Sequence, residues 1–453
     1  MCGVFEKLIL AMVVDGKLCQ RPIPKSERTE TLENLIVLIG ENYGTNPSWH
    51  LSVELEPARV FPENFDIKLL GDSAENSNFT IEGCEFPAAI FFGPETRAEL
   101  GFKNIEQWLH QYVTHHECGT TSFCQLPTRL LDLHGDQVRV IETKGVESPY
   151  VCLSYRWGGY KEKRLLSTSK TLHTHLKAIL WDELPKTFQN AVIICRRLKI
   201  YYLWIDALCI LQECPGLTAA QVTETKKDFA RENTAMANIY QNSYFTISAD
   251  ISTSMNSGIF SFSSNKYHAI QVVDDNSNNV TLYGQSTDLE HGRKPTTLEE
   301  RGWTFQESSL PHRVLCYGEF DITWRCQQLN SCECGYSNHT NAILDNINHS
   351  REAFSRRTRV TSQNLEKFLA WWSRIVYYYM PRDLTNENDK LPALSGLAQI
   401  YHRKTGDSYL AGLWRNSILH DLCWYNCHNF NLRIDRFYGP YRGHRSTQYR
   451  APS

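Results

Sequence analysis

No stretch of this 453-residue chain is apolar for the length that a bilayer crossing requires, so a membrane-spanning role is not expected. The run Phe5 to Val14 is too short, carries Glu6 and lacks a cleavage-site pattern, which argues against a secretory leader. Net charge is equally scarce: 47 Lys and Arg against 50 Asp and Glu leave −3, scattered along the chain. With neither a basic stripe nor an acidic tail, nucleic acid is not an expected partner. Low-complexity tracts and internal repeats are missing, which removes repeat arrays from consideration. Regular cysteine spacing is missing too. The 15 cysteines are odd in number, and Cys152, Cys195, Cys209 and Cys316 sit inside apolar stretches. That pattern fits reduced core thiols and a cytoplasmic location better than a disulfide framework.

What is there is enough chain for two or three structural units. The organising stretch is Leu184 to Gln212. Pro185 suits a first helical turn, and Ala191, Ile194, Cys195 and Leu198 then recur at helical spacing. Tyr201 to Ile205 follows as an aromatic and branched run, the mark of a strand covered on both faces, and Asp206 closes it. Tyr150 to Tyr155 and Tyr244 to Ser248 read as two more buried strands, which predicts a mainly parallel sheet flanked by helices over 149–316. Hairpins are expected at Leu130–Leu133 with Val138–Ile141, and at Arg313–Tyr317 with Asp321–Arg325. The pattern divides the chain into an irregular α+β lead-in (1–125), the main unit (126–345) and a C-terminal helical region (346–453). In the lead-in a helix is expected around Leu32 to Ile39 and another at Asn104–Tyr112. Further helices are expected within 160–180, at Thr225–Gln241, Ser362–Met380, Leu391–Lys404 and Leu413–Leu422. Asn256 to Lys294 reads as a surface excursion.

Ligands of open parallel sheets sit beyond the carboxyl ends of the strands. There the first strand delivers Ser154, Arg156 and Trp157, which together suit an anionic or planar ligand, and the second delivers Asp206. Gly158-Gly159 taken alone is more often a plain turn. In the helix around 225–241, Phe229, Met236, Ile239 and Tyr240 form one stripe, and Glu232 falls inside it. An acid on an apolar stripe needs either a functional pocket or a role in suiting the helix dipole. Cys209 as a nucleophile is outweighed by a buried inert thiol, since no histidine lies nearby in sequence. His115-His116-Glu117-Cys118 with Cys124, and Cys326, Cys332 and Cys334, lack the paired spacing of a structural zinc site, so no metal is assigned.

Several of these pieces together resemble the fungal heterokaryon-incompatibility (HET) domain proteins. They are Tyr150 to Gly158 (YVCLSYRWG), Leu184 to Thr187, Tyr202 to Gln212 (YLWIDALCILQ), Met236 with Ile239-Tyr240, and Arg301 to Glu307 (RGWTFQE). The resemblance extends upstream through Leu126-Pro127-Thr128-Arg129 and downstream through Asp389–Ala398 and Tyr409–Trp414. Ala207 stands where the family usually has serine, Glu213-Cys214 where an acidic pair is usual, and Phe229 where tryptophan is common. Ala451-Pro452-Ser453 resembles the start of a family segment that normally runs on, which implies a truncated end.

The resemblance implies a signalling role in the cell death that follows fusion of unlike hyphae. The core also resembles, more distantly, the TIR domain, which implies a TIR-like (flavodoxin-like) α/β fold. Some TIR domains cleave NAD with a helix-borne glutamate, and that likeness makes Glu232 the catalytic candidate. Ser154, Tyr155, Arg156, Trp157, Gly158, Asp206, Cys209 and Gln212 would line the pocket, with NAD as substrate and no cofactor. The other reading is a non-enzymatic module that forms homo-oligomers or binds a signalling partner, leaving Glu232 a helix-edge residue.

Overall fold

The computed structural model describes residues 99–115, 124–159, 162–260, 296–318, 322–326, 330–332 and 365–422. It also describes the strands Leu35–Ile39, Trp49–Leu55, Asn64–Asp72, Phe79–Ile81, Cys84–Phe86, His268–Val273 and Asn279–Ser286, and the turn residues Asn276 and Ser277. In chain order the helices used below are α1 (Glu99–His115), α2 (Leu172–His175), α3 (Lys186–Arg197), α4 (Asp206–Cys209), α5 (Ala219–Asn242), α6 (Gly302–Ser309), α7 (Leu365–Tyr379) and α8 (Pro392–Thr405). The strands of the central sheet are β1 (Arg129–Asp132), β2 (Arg139–Glu142), β3 (Val151–Ser154), β4 (Tyr202–Trp204), β5 (Phe245–Ser248), β6 (Arg313–Tyr317), β7 (Ile322–Cys326) and β8 (Asn330–Cys332).

The eight strands lie in the order β8-β7-β6-β5-β3-β4-β1-β2. β4, β3, β5 and β6 are mutually parallel, as expected for the three strands named from sequence. Both expected hairpins form and flank this block antiparallel, so the whole sheet is mixed rather than mainly parallel. The parallel strands follow the spatial order β4-β3-β5-β6, so chain direction across the sheet reverses between β3 and β5. An open α/β sheet has its ligand crevice at such a reversal.

Alternate residues of the parallel strands feed two cores. Val151, Leu153, Leu203, Phe245, Ile247 and Leu315 join one cluster with Phe188, Ala191, Val192 and Cys195 of α3 and with Phe102 and Ile105 of α1. Tyr150, Cys152 and Trp204 join the other, with Met236, Ile239 and Tyr240 of α5 and with α7 and α8. Strands covered on both faces explain the unbroken apolar runs. α5 starts on a capping box, Thr218 with Gln221. Its buried positions include Thr225, Asp228, Glu232, Met236, Ile239 and Tyr240, which recur at helical spacing. Phe229 was expected in that stripe and shares its helical angle, but is 45% exposed, so burial along α5 follows what packs against each turn and not periodicity alone.

Three other expectations are corrected. Leu35–Ile39 is a strand, not a helix: the run LIVLI pairs antiparallel with Trp49–Leu55. The helix expected within 160–180 shrinks to the four residues of α2. Leu413–Trp414 pairs with Tyr409–Leu410 around Ala411 and Gly412, both at positive φ, and only Ile418–Asp421 is α-helical in the last stretch. The excursion after Asn256 supplies His268–Val273 and Asn279–Ser286. These join a five-stranded sheet with the N-terminal strands Leu35–Ile39, Trp49–Leu55 and Asn64–Asp72. The side chains of His115, His116, Glu117 and Cys118, and Cys334, lie outside the described residues.

α8 closes the second core through one small residue. A Cβ on Gly396 would stand 2.4 Å from the Ala237 Cβ of α5 and 2.8 Å from Gln306 Oε1 of α6. Gly396→Ala should therefore wedge α8 off both helices and cost about 1–3 kcal/mol, as core overpacking does. A urea midpoint equal to that of the parent would show that α8 yields without cost.

Candidate functional site

The carboxyl ends of the parallel strands meet along one edge, and the sequence there turns polar. β3 ends in Ser154 and continues into Tyr155-Arg156-Trp157-Gly158. β4 gives way to Asp206, and β5 to Asp250.

Asp206 is the most heavily coordinated of these groups. The Tyr155 hydroxyl donates to its Oδ1 at 2.9 Å, the Trp157 indole N–H to its Oδ2 at 2.8 Å, and the Ala207 N–H to Oδ1 at 2.7 Å. Burial raises the Asp206 carboxyl above its ordinary range, against the pull of Trp157, Tyr155 and the Arg301 charge. Burial also pushes the Tyr155 phenol well up, and the neighbouring Asp206 charge adds to that. The phenol therefore stays a donor. The two strand ends are thus joined directly, with Asp206 drawing the Tyr155 and Trp157 side chains toward β4.

Ser154 turns to the other face and donates to Glu307 Oε2 of α6 at 2.5 Å. The Glu307 carboxyl is pushed up to about 7, by burial first and then by the Asp206 charge, against the opposing pull of Ser154, Arg301 and Tyr240. The next strand repeats the pairing. Ser248, in register with Ser154, donates to Asp250 Oδ1 at 2.5 Å, and burial raises Asp250 to about 6.

A short segment, 296–301, lies across these strand ends. Thr297 Oγ1 donates to the Asp250 carbonyl at 3.3 Å, and Arg301 Nη1 to the Tyr155 carbonyl at 3.3 Å. Arg156 pairs with Glu300 at 3.3 Å, with side chains 31% and 45% exposed. An exposed pair of that kind is worth no more than about 1 kcal/mol, so it can part to admit a ligand. Gly158 sits at φ +84, and a Cβ there would stand 2.5 Å from Ser254 Cβ, so this position needs glycine. The loop bearing Ser254 is held in turn by α3: Thr187 N–H donates to the Met255 carbonyl at 3.0 Å and Ile259 N–H to Asn190 Oδ1 at 2.9 Å. That accounts for the polar Thr187 and Asn190 on an otherwise apolar helix face.

Of the residues expected at the site, Ser154, Tyr155, Arg156, Trp157, Gly158 and Asp206 gather at this edge. Gln212 Nε2 donates to the carbonyls of Asp206 at 3.4 Å and Ile210 at 3.3 Å, so it braces the turn that carries Asp206. Cys209 is 1% exposed, its sulfur accepts the Ile205 N–H at 3.5 Å, and burial pushes its thiol up to about 12. It is a packed residue of the turn, not one presented to a ligand. Glu232 is 1% exposed and belongs to a different cluster. Arg231 Nε donates to its Oε1 at 3.0 Å, Arg231 also pairs with Asp228, and Asp228 pairs with Arg129.

Glu307 stands out less in the sequence than Glu232 because it lies on a short helix and not on a long apolar stripe. The signal was present: Glu307 ends the RGWTFQE run just as a short helix packs under the strand ends. A surface cleft of about 1120 Å³ opens elsewhere, between the start of α5 and the β1–β2 hairpin. None of the expected ligand residues lines it, and its rim mixes Glu142 and Glu224 with Lys144 and Lys227. Among the described residues no group of three or more His, Cys, Asp or Glu is arranged to hold a metal ion, and no helix is long and apolar enough to cross a membrane.

The raised carboxyls give stability a pH dependence of definite sign. Glu307 moves from 4.5 to about 7 on folding. Between those values the folded chain keeps a proton that the unfolded chain releases. Its contribution is therefore complete below about pH 4.5 and lost as pH rises to about 7, on the order of 3 kcal/mol. Asp250 acts with the same sign, from 3.8 to about 6. Glu307→Gln should accordingly raise the melting temperature at pH 8 and leave it little changed at pH 5. Equal shifts at both values would mean that water reaches the carboxyl.

No curated protein and no solved structure matches the chain. Residues 150–307, which run from the start of β3 to Glu307 itself, match the family model described as Heterokaryon incompatibility protein (HET), and this is a protein with a heterokaryon-incompatibility domain.

Proposed function

We propose that this protein acts in heterokaryon incompatibility and the associated cell death by cleaving the N-glycosidic bond of NAD at the carboxyl edge of its parallel strands, through a TIR-like core. The observation that carries the reading is the Glu307 carboxyl. It is buried, bonded to Ser154 at the end of β3, and titrates near neutrality. Loss of nicotinamide leaves positive charge on the ribose, and a carboxylate nearby stabilises it. In this scheme the C1′–N bond breaks and nicotinamide leaves with its electron pair. Water then bonds to C1′ and gives its proton to the Glu307 carboxylate, which returns it to solvent. Arg156 and Arg301 suit the pyrophosphate and Trp157 the flat base. The strand order β4-β3-β5-β6 matches the first four strands of a flavodoxin-like sheet, which supports the TIR-like reading of the core.

Glu232, the acid of α5 singled out from the sequence, is charge-paired with Arg231. We therefore place the catalytic role on Glu307 first and keep Glu232 as the comparison. Purified full-length protein is incubated with NAD and free nicotinamide is followed by chromatography. Release above the uncatalysed rate, abolished in Glu307→Gln, supports the reading. No release at enzyme concentrations approaching that of NAD overturns it in favour of a non-enzymatic module that oligomerises or docks a partner.

A further inference from the structure

The helix that carries Glu307 is held at its first turn by residues from well outside the matched domain. Gly302 N–H donates to the Asp383 carbonyl at 2.8 Å, and Asp383 N–H to the Glu300 carbonyl at 2.6 Å. Arg382 Nη1 reaches the Arg301 carbonyl at 3.4 Å, and its guanidinium lies 4.7 Å from the centre of the Phe305 ring. The Trp303 indole N–H donates to Asp389 Oδ2 at 3.1 Å. A Cβ on Gly302 would stand 2.5 Å from the Leu384 side chain, so the backbones meet without room for one. Every residue from Glu300 to Trp303, together with Phe305, thus touches the segment 382–389. On its opposite side the same stretch contacts the strand ends through Glu300 with Arg156 and Arg301 with Tyr155.

We propose that the segment Arg382–Asp389 is a latch that positions Arg301 and Glu307 over the ends of β3 and β4, with Arg382 its principal positioning side chain. The bonds through Asp383 are backbone to backbone and fix where the segment lies. Arg382 adds what a backbone cannot: one guanidinium spans the carbonyl at the helix cap and the Phe305 ring one turn along, so the cap and the first turn move as one body. Glu307 faces Ser154, Tyr240, Asp206 and Arg301. A small rotation of α6 would change its distance to all four. A partner or a second protein copy that pulled on α7 or α8 would act on the site through this segment, without contacting it.

The latch rests on the proposed function only for its activity readout. Full-length protein is compared with Arg382→Ala and Arg382→Lys. Amide hydrogen exchange is measured across 302–309 and, as a control, 151–154. Titration of Glu307 is followed by isotope-edited infrared spectroscopy with Glu307→Gln as the blank. Arg382→Ala is expected to speed exchange across 302–309 by about tenfold while 151–154 is unchanged. It should also lower the Glu307 midpoint toward an ordinary carboxyl as water enters, and Arg382→Lys should restore part of both. Unchanged exchange and an unchanged midpoint overturn the latch, as does equal acceleration over both segments, which marks a purely structural residue. If the midpoint moves while neither parent nor variant releases nicotinamide, the latch stands and the NAD reading falls.

Discussion

Glu307→Gln should reduce nicotinamide release by at least about 100-fold while the protein folds and, above pH 7, gains stability. The size follows from the proposed reaction, in which this group both balances charge on the ribose and accepts a proton from water, each worth orders of magnitude in rate. The isosteric amide can still accept the Ser154 hydroxyl bond seen at 2.5 Å, so strand and helix keep their spacing. The opposed effects on activity and stability are the diagnostic part, because a residue whose removal merely disrupts the fold loses both together. In the proposed reaction the carboxylate is the active form, so the parent rate should climb with pH on the acid side of a midpoint near 7, the value to which this group is pushed. Glu232→Gln serves as the comparison and should leave the rate within a few-fold. If Glu232→Gln abolishes release and Glu307→Gln does not, the catalytic role belongs to the α5 acid. In fungal cells the same ranking is expected for growth arrest on expression of each variant.

Much of the main unit was legible in the sequence because its strands are buried on both faces. An apolar run such as Tyr150–Tyr155 or Tyr201–Ile205 has no other stable home, and a polar residue at its end marks the edge where a ligand site forms. A helix start marked by proline was equally clear at Pro185, which directly precedes α3. What could not be read were pairings across distance. Nothing in His268–Val273 or Asn279–Ser286 announces that they complete a sheet with strands some 200 residues earlier, since register depends on partners rather than on local pattern. Leu35–Ile39 failed for a related reason: a five-residue apolar run fits a helix or a strand until its partner is known.

The candidate site divides in the same way. Ser154, Trp157 and Asp206 were found because each directly ends or follows a strand. Glu307 lies 153 positions from Ser154 and reaches it only through packing of a short helix. Glu232 drew attention by standing on a buried face, yet the compensation for its burial is Arg231, a residue next to it whose exposed position hid the pairing. A buried acid in a sequence thus signals a partner before it signals chemistry.

Arg129→Met should be among the most destabilising single changes in the domain, by about 3–5 kcal/mol. Arg129 closes the LPTR sequence just upstream of the matched region. Its side chain is buried with Asp228, to which Nη2 is ion-paired, while Nε donates to the Cys209 carbonyl at 2.8 Å. Asp228 also accepts the Leu211 N–H at 2.9 Å and pairs with Arg231, whose side chain is 58% exposed. Removing Arg129 leaves a buried carboxylate with only a solvated partner and strips the Cys209 carbonyl of its donor. Most of the loss should come from the stranded charge rather than from missing attraction. Arg129→Met combined with Asp228→Asn should therefore recover at least half of it, because the amide oxygen still accepts the Leu211 N–H and carries no charge. Urea unfolding of the single and double variants measures this directly. Losses that simply add would show that water already reaches Asp228. The cluster holds Cys209 to Leu211, the residues that follow Asp206 in the α4 turn, so the single variant should also loosen Asp206 from Tyr155 and Trp157. Trp157 fluorescence should then change in Arg129→Met and return toward the parent value in the double variant.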